Sequence, residues 1–386
     1  MTSGKRKISM TALATFEARI RRRLSWEASR LGLWLNDRVT TRLHDMRARP
    51  SPTPGAVMQS RRLAIYAIYP RTGLLPSHFR ALRHLNRQGY APIVVSSLPL
   101  SEADLALLHP LAWQIMIRPN FGYDIGGYRA VILWLGERLT RLDRLLLTND
   151  SVFWPLGRGR DWLEIATAMP SAPDLVGAIS NCGRIPGTDW GFDETAADFH
   201  YCSFALSLGP AILSDADFQG FWYRMRLSDR KVQMVERGEV ALSQWAIRAG
   251  YSHAACWDRA GFAERLSLLT DTALMDLATR LILPEDPGLR ERRASLTRAK
   301  TPPDRATMIG FILNAVAETG PAYALPAFAL AEDGFGFLKK SPLRLDAEGR
   351  AVTLTLLSDD LELLAEARQL IPSADAAGLA AHGGMV

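Results

Sequence analysis

Between residues 62 and 250 the chain alternates short apolar runs with segments whose apolar positions recur every three or four residues. That is the pattern of buried strands alternating with amphipathic helices. The apolar runs predict strands over 63–69, 91–97, 113–117, 145–147, 175–179 and 201–208. The helical period predicts helices over 76–87, 101–108, 215–225 and 231–250. Ser101, followed by Glu102 and Asp104, reads as a helix start, because a hydroxyl and first-turn carboxylates serve the free N–H groups there. The alternation predicts an α/β fold, a mostly parallel sheet with helices on both faces. Beyond Trp257 the pattern turns mainly helical, and residues 376–386 form a small-residue tail expected to be disordered.

A different pattern occupies the N-terminus. Leu13, Phe16, Ile20, Leu24, Leu31, Leu35, Val39 and Leu43 recur at helical spacing over residues 10–48. Arginines 19, 21, 22, 23, 30, 38 and 42 fill much of the remaining surface, with Trp26 and Trp34 nearby. Such a basic amphipathic helix suits an anionic membrane surface, or equally packing on the protein's own body or a second subunit. Residues 49–55, Arg-Pro-Ser-Pro-Thr-Pro-Gly, read as a linker. The expected organisation is a helix and linker at 1–55, a core at 56–256 and a mainly helical region at 257–386.

Composition narrows this only in places. The 386 residues are 48% hydrophobic and 22% charged, ordinary globular values. Residues 1–50 hold 12 Lys and Arg against 4 Asp and Glu, whereas the remainder holds 34 against 36. The basicity therefore belongs to the N-terminal segment, which argues against a nucleic-acid-binding core. No apolar stretch approaches the roughly 18–20 residues of a membrane span. Lys5-Arg6-Lys7 leads into an arginine-rich stretch in place of a signal-peptide core. Cys182, Cys202 and Cys256 match no zinc or disulfide spacing, so a reduced, cytoplasmic protein is expected.

The chemistry concentrates between Arg118 and Ser151. Asn120-Phe-Gly-Tyr-Asp124-Ile-Gly-Gly127 precedes a helix-like segment, and the strand at 145–147 runs into Asn149-Asp150-Ser151. Glycines before a helix N-terminus let a phosphate approach free N–H groups. A polar cluster at a strand's carboxyl end is where α/β sheets present ligand-binding groups. Together they suggest a nucleotide-diphosphate site in which Asp150 is available to Mg2+ or Mn2+. The alternative is an ordinary strand–turn–helix in which Asp124, Asn149 or Asp150 acts as a cap.

In order, these motifs resemble the inverting family-2 glycosyltransferases of GT-A fold. Ile68-Tyr69-Pro70 stands at the first-strand turn, Asn120-Phe-Gly122 before a helix, and Asn149-Asp150-Ser151 where Asp-x-Asp is usual. Glu239, three residues before Leu242 and eleven before Gly250, occupies the general-base position. A closer resemblance, over about residues 62–345, is to the rhamnan synthesis protein F family of bacterial polysaccharide rhamnosyltransferases. It rests on Asn120 through Tyr128, Asn149 through Pro155, His200-Tyr-Cys-Ser203, Glu239 through Gln244 and Gly334-Phe-Gly-Phe-Leu-Lys339.

The resemblance implies an enzyme that moves a deoxyhexose, L-rhamnose above others, from a nucleotide-diphosphate sugar to a surface polysaccharide or lipid-linked glycan. A different sugar, or a catalytically silent glycan-binding scaffold, is the alternative. Glu239 is implied as the base. Tyr69, Asn120, Gly122, Asp124, Gly126, Gly127, Asn149, Ser151, His200 and Lys339 are implied around the donor, with Asp150 as metal ligand. The enzyme would work peripherally on the inner face of the plasma membrane. Asn-Asp-Ser offers one carboxylate where Asp-x-Asp offers two. Ser96-Ser97 stands where an acidic nucleobase contact is usual. Trp190, Trp222 and Trp245 are candidates for stacking on sugar, with core packing as the alternative.

Overall fold

The structure is a computed structural model and describes residues 37–47, 51–157, 159–169, 172–181, 196–257, 261–283, 287–299, 303–332 and 334–372. It divides into a small unit, residues 1–49 with 226–228, and a large one, residues 50–225 with 229–386.

In the small unit, residues 37–47 are helical (α1). Asp37 and Thr41 are buried, Thr41 donating to the Asp37 carbonyl at 2.6 Å. Val39, Leu43 and Met46 are 56%, 39% and 67% exposed. Residues 10–36 of the expected helix lie outside the described residues.

The large unit is built on an eight-stranded sheet. Its strands are β1 (Thr53–Pro54), β2 (Arg62–Ile68), β3 (Ala91–Ser96), β4 (Gln114–Ile117), β5 (Arg144–Asn149), β7 (Leu175–Gly177), β10 (Ala205–Leu208) and β11 (His253–Ala255), in the order β1-β4-β3-β2-β5-β10-β7-β11. β4, β3, β2 and β5 run parallel, as do β7 and β11. The sheet is thus mainly parallel, as the alternation predicts. β10 departs from it, lying antiparallel between β5 and β7. The expected 201–208 strand is broken at Cys202–Phe204, where the Ala205 N–H closes a turn on the Cys202 carbonyl at 3.3 Å. Before the break lies β9 (His200–Tyr201), paired with β8 (Ser180–Asn181).

Both faces are covered. α2 (Pro76–Arg87) places Ala81, Leu82 and Leu85 in one core cluster with Ala64, Tyr66 and Ile68 of β2. α4 (Tyr123–Leu135) crosses the other face, Gly127 lying above Val95 and Ala67. Between them in the chain is α3 (Glu102–Leu108), capped by Ser101 as expected. Later helices, from Phe262–Leu268 to Leu361–Gln369, add Phe311, Ile312 and Val316 to the first cluster. The C-terminal region also supplies β12 (Leu338–Lys339), antiparallel to β6 (Val152–Phe153) just after Asn-Asp-Ser.

Two expectations change. The linker's end is ordered, since Thr53 and Pro54 pair with Ile115 and Gln114 and the Gly55 N–H donates to the Trp113 carbonyl at 2.9 Å. A proline suits this edge, where no ladder N–H is needed on the open side. The helix expected over 231–250 is α-helical at Lys231–Met234 and Ala241–Arg248 but π-helical at Val235–Val240. Trp222 and Trp245 belong to an aromatic cluster with Phe218 and Phe221; Trp222 is fully buried, so the core reading holds for it, while Trp245 is half-buried. Trp190 lies outside the described residues.

Candidate functional site

Chain order places β2, β3 and β4 successively in one direction and then returns to β5 on the other side of β2. Strand order therefore reverses between β2 and β5, and the crevice beyond their carboxyl ends is the preferred ligand position of such sheets. Ala67 of β2 is in register with Asn149 of β5. One residue further, the Asp150 N–H donates to the Ala67 carbonyl at 3.1 Å, and the Tyr69 N–H donates to Asp150 Oδ2 at 2.7 Å. Asp150 thus bridges the reversal point. His78 Nε2 from α2 lies 3.3 Å from the same oxygen. Burial raises the Asp150 pKa, but His78, the Lys340 charge and the Tyr69 N–H together outweigh it and hold the carboxyl below its ordinary value.

Asn149 is buried and its amide is occupied at both ends. Nδ2 donates to Asp124 Oδ2, and Oδ1 accepts the Ser151 N–H at 3.0 Å. Ser151 is exposed, and its carbonyl accepts the Lys340 N–H at 2.9 Å. Tyr69 is 41% exposed. Asn120 is exposed and makes no side-chain hydrogen bond among the described residues.

The glycine segment folds more tightly than expected. α4 starts at Tyr123, so Gly126 and Gly127 lie inside it and not in a loop. Gly122 is the N-cap at φ 80°, followed by Tyr123 at φ 55°. Consecutive left-handed residues, one of them tyrosine, mark a constrained turn. Asp124 is not the N-cap. It sits in the first turn, and its Oδ1 accepts the Ile125 N–H at 2.9 Å. A carboxylate from the helix itself therefore takes an N–H that a phosphate was expected to use. A Cβ on Gly126 would lie 2.2 Å from the Phe121 carbonyl oxygen, so this turn cannot close with a larger residue.

Glu239 approaches from the opposite side on the π-helical segment. One extra residue in the turn rotates the rest of the helix, and such segments often lie at functional sites. Gly238 makes the approach possible, because a Cβ there would be 2.7 Å from the Ile125 side chain. Ser203 Oγ donates to Glu239 Oε1 at 2.8 Å, and His200 Nε2 stands 3.9 Å from Oε2. The two polar residues of His-Tyr-Cys-Ser thus meet the same carboxylate. Further bonds tie the two motifs together: the Tyr201 N–H donates to Ser243 Oγ at 3.0 Å and Gln244 Nε2 donates to the Phe199 carbonyl at 2.9 Å. Tyr128, buried in α4, donates to the Ser203 carbonyl at 3.0 Å.

Between these two groups stands Asp124. Burial, then the charge of Glu239, push its pKa up to about 6 against the pull of Lys339 and Asn149. Lys339 on β12 holds its ammonium 3.7 Å from the centre of the Phe204 ring and has no carboxylate within ion-pair distance among the described residues. Lys340 is different. Its side chain is buried on Ser77 Oγ at 2.7 Å and Glu366 Oε1 at 2.9 Å, so it is part of the scaffold. Burial and the charge of Glu239 push the Cys202 thiol up to about 12, which makes it a poor nucleophile or ligand. Ser96 turns its hydroxyl onto the Leu98 backbone at 2.7 Å, away from any base-reading role. No group of three or more His, Cys, Asp or Glu able to hold a metal comes together among the described residues.

Sequence reasoning brought out Asp150, Asp124, Asn149 and Glu239 and missed His78. Only the helical phase of α2 could have pointed to it, since His78 falls on the buried face.

The family model of Rhamnan synthesis protein F matches residues 92–315, more than half of the chain. A curated relative, the uncharacterized protein y4gN of Sinorhizobium fredii, is 30% identical over 193 residues, which is 50% of this chain and 47% of that protein. The chain therefore spans about half the length of the curated relative it matches. Among solved structures, a mannosyltransferase of Pyrobaculum calidifontis in complex with GDP-Man and Mn2+ aligns over 94% of this chain and 90% of its own, at 13% identity and a TM-score of 0.26.

Proposed function

Because the chain belongs to the rhamnan synthesis protein F family, we propose that it is a GT-A-type inverting glycosyltransferase of bacterial polysaccharide synthesis. It moves a deoxyhexose, L-rhamnose above others, from a nucleotide-diphosphate donor to a surface polysaccharide or lipid-linked glycan. The observation that carries this is the assembly of Glu239, Ser203, His200, Asp124, Asn149 and Asp150 at the sheet's reversal point.

Inverting transfer breaks the anomeric carbon–phosphate oxygen bond while the acceptor oxygen attacks from the other face. The electron pair leaves with the diphosphate, and the acceptor proton needs a base. Glu239 takes that proton, oriented by Ser203 and His200. Lys339 supplies positive charge to the departing diphosphate. Asp124 accepts a hydroxyl of the ribose or sugar, and Tyr69, Asn120, Ser151 and the Gly122 turn frame the donor. Gly126 acts through the close approach of α4 to the Phe121 carbonyl, and Gly127 packs at ordinary contact distance over Val95 and Ala67.

The Asp150 site fits a divalent cation. One carboxylate is held ionised with Oδ2 engaged, and Oδ1 makes no hydrogen bond to the described residues. One carboxylate is enough for Mg2+ or Mn2+ when diphosphate oxygens and water complete the shell. Bound there, the cation would neutralise diphosphate charge.

Glu239→Gln keeps size and hydrogen bonding but removes the base. Transfer from a panel of nucleotide sugars should fall about 10²–10⁴-fold with donor affinity within a few fold. Transfer within about threefold of wild type would remove Glu239 from the mechanism. A wild type that neither transfers nor hydrolyses any donor would favour the scaffold reading.

The site of work is an anionic membrane surface, inside the cell, held through residues 1–50. The support is charge together with the exposed Val39, Leu43 and Met46, which share one side of α1 at spacings of four and three. Among the described residues no helix is long and apolar enough to cross a membrane. Leu43→Glu with Met46→Glu should abolish binding to phosphatidylglycerol vesicles, and salt should weaken wild-type binding. Equal binding by wild type and double variant would refute this.

A further inference from the structure

The carboxylate at the reversal point works alone, so its alignment depends on what stands behind it. His78 is 1% exposed on the first turn of α2. Its Nδ1 accepts the Leu75 N–H at 3.1 Å, which places the proton of a neutral ring on Nε2. That atom is buried, closes no hydrogen bond of good geometry, and stands 3.3 Å from Asp150 Oδ2. The Tyr69 N–H donates to the same oxygen, so both contacts fall on Oδ2, and Oδ1 makes no hydrogen bond to the described residues.

The neighbouring residue explains why α2 stays in place. The Ser77 N–H donates to Glu366 Oε2 at 2.7 Å and its hydroxyl to Oε1 at 2.6 Å. Lys340 Nζ completes the knot, 2.7 Å from Ser77 Oγ and 2.9 Å from Glu366 Oε1. Glu366 is 1% exposed and Lys340 7%. A buried ion pair tied to a third polar group resists displacement, because moving either member leaves a charge unpaired in a medium that solvates it poorly. Lys340 reaches the site a second time, since its N–H holds the Ser151 carbonyl beside Asp150.

We propose that His78 is a positioning residue for Asp150, held in register by the buried Ser77–Lys340–Glu366 knot, so that one aligned carboxylate takes the place of two. This rests on the donor-site reading of Asp150. Groups that hold a ligating carboxylate typically contribute about 10–100-fold to metal affinity.

The test uses the full chain and binding of dTDP, UDP and GDP, each with and without MnCl2, measured by calorimetry. His78→Asn keeps an acceptor near Nδ1 for Leu75 but cannot reach Asp150. His78→Gln places an N–H near Nε2. The Asn variant should bind its nucleotide with Mn2+ about 10–100-fold more weakly, and the Gln variant within a few fold of wild type. An Asn variant that binds like wild type, or Asn and Gln variants impaired alike, overturns the positioning role. If Asp150→Ala binds as wild type does, or wild type binds none of the three, the donor-site reading itself has failed. Nitrogen NMR of the wild-type ring covers the case in which a variant does not fold: protonated Nε2 with bare Nδ1 is expected, and the reverse tautomer refutes the proposal.

Discussion

The two carboxylates of the site are built by opposite means. Asp150 hangs on the parallel half of the sheet, where β2 and β5 are in register and a backbone N–H fixes its side chain within one residue of each strand end. Glu239 belongs to the half where order is broken. It lies on a π-helical segment, faces a turn between two short strands, and depends on Gly238, where an added Cβ would lie 2.7 Å from the Ile125 side chain. On the roles proposed above, regular structure places the ligand-binding group, whereas local irregularity aims the reactive one. Strain and bulges are tolerated only where surrounding contacts over-determine them, and here Ser243, Gln244 and Tyr201 do so.

The difference predicts that the halves fail differently. Removing Asp150 should affect binding, in contrast to the turnover defect expected of Glu239→Gln. Asp150→Ala should weaken nucleotide-diphosphate affinity about 10–100-fold and abolish any effect of EDTA on it. Equal wild-type affinity with and without EDTA would show that Lys339 and the fold suffice without a cation.

Asp124 joins the two halves, and its titration measures how closely they are coupled. Its folded pKa is about 6 against an ordinary 3.8, raised first by burial and then by Glu239. The native state therefore binds this proton more tightly than the unfolded chain does. Stability should fall as pH rises from about 4 through 6, and the ionised group should cost up to about 3 kcal/mol near neutrality. Asp124→Asn cannot ionise, so its stability relative to wild type should rise across that window in denaturant melts. In Glu239→Gln the wild-type step should move to lower pH. A step at the same pH in Glu239→Gln as in wild type would show that the two carboxylates are not coupled, whereas a difference flat from pH 4 to 7 would show that the Asp124 carboxyl is not raised at all.

The parallel half was largely legible in the sequence. Apolar runs located β2, β3 and β4 to within a residue or two, and Pro76–Arg87 has the predicted bounds, because each signal is local. Asp150 followed from the same logic. Glu239 was reached by motif spacing, but its setting was not, since a π-helical turn arises from packing against Ile125 and leaves no periodic signature. The sequence predicts one strand over 201–208 because Cys202, Phe204 and Ala205 are apolar, and apolarity does not reveal a turn. His78 was missed because its partner, Asp150, lies 72 residues away, and Lys340, a candidate for cationic help to a diphosphate, is instead buried on Glu366, 26 residues on, which no local pattern reveals.

Two helical glycines sharpen the contrast. Gly127 faces the regular half, and a Cβ there would meet Val95 at 3.5 Å and Ala67 at 3.6 Å, ordinary contact distances. Gly127→Ala should be neutral or stabilising by under about 1 kcal/mol, because alanine loses less backbone entropy in a helix. Gly238 faces the irregular half, where all three nearest Ile125 atoms lie within 2.8 Å of the added carbon. Gly238→Ala should cost about 1–3 kcal/mol through overpacking. It should also move Glu239 off Ser203, so turnover falls further than stability alone explains. Pairing it with Ile125→Val, which removes a methyl from the clash, should recover part of both losses. If Gly238→Ala is silent in melting temperature and turnover while Gly127→Ala is not, the division between an ordered binding half and an irregular reactive half is wrong.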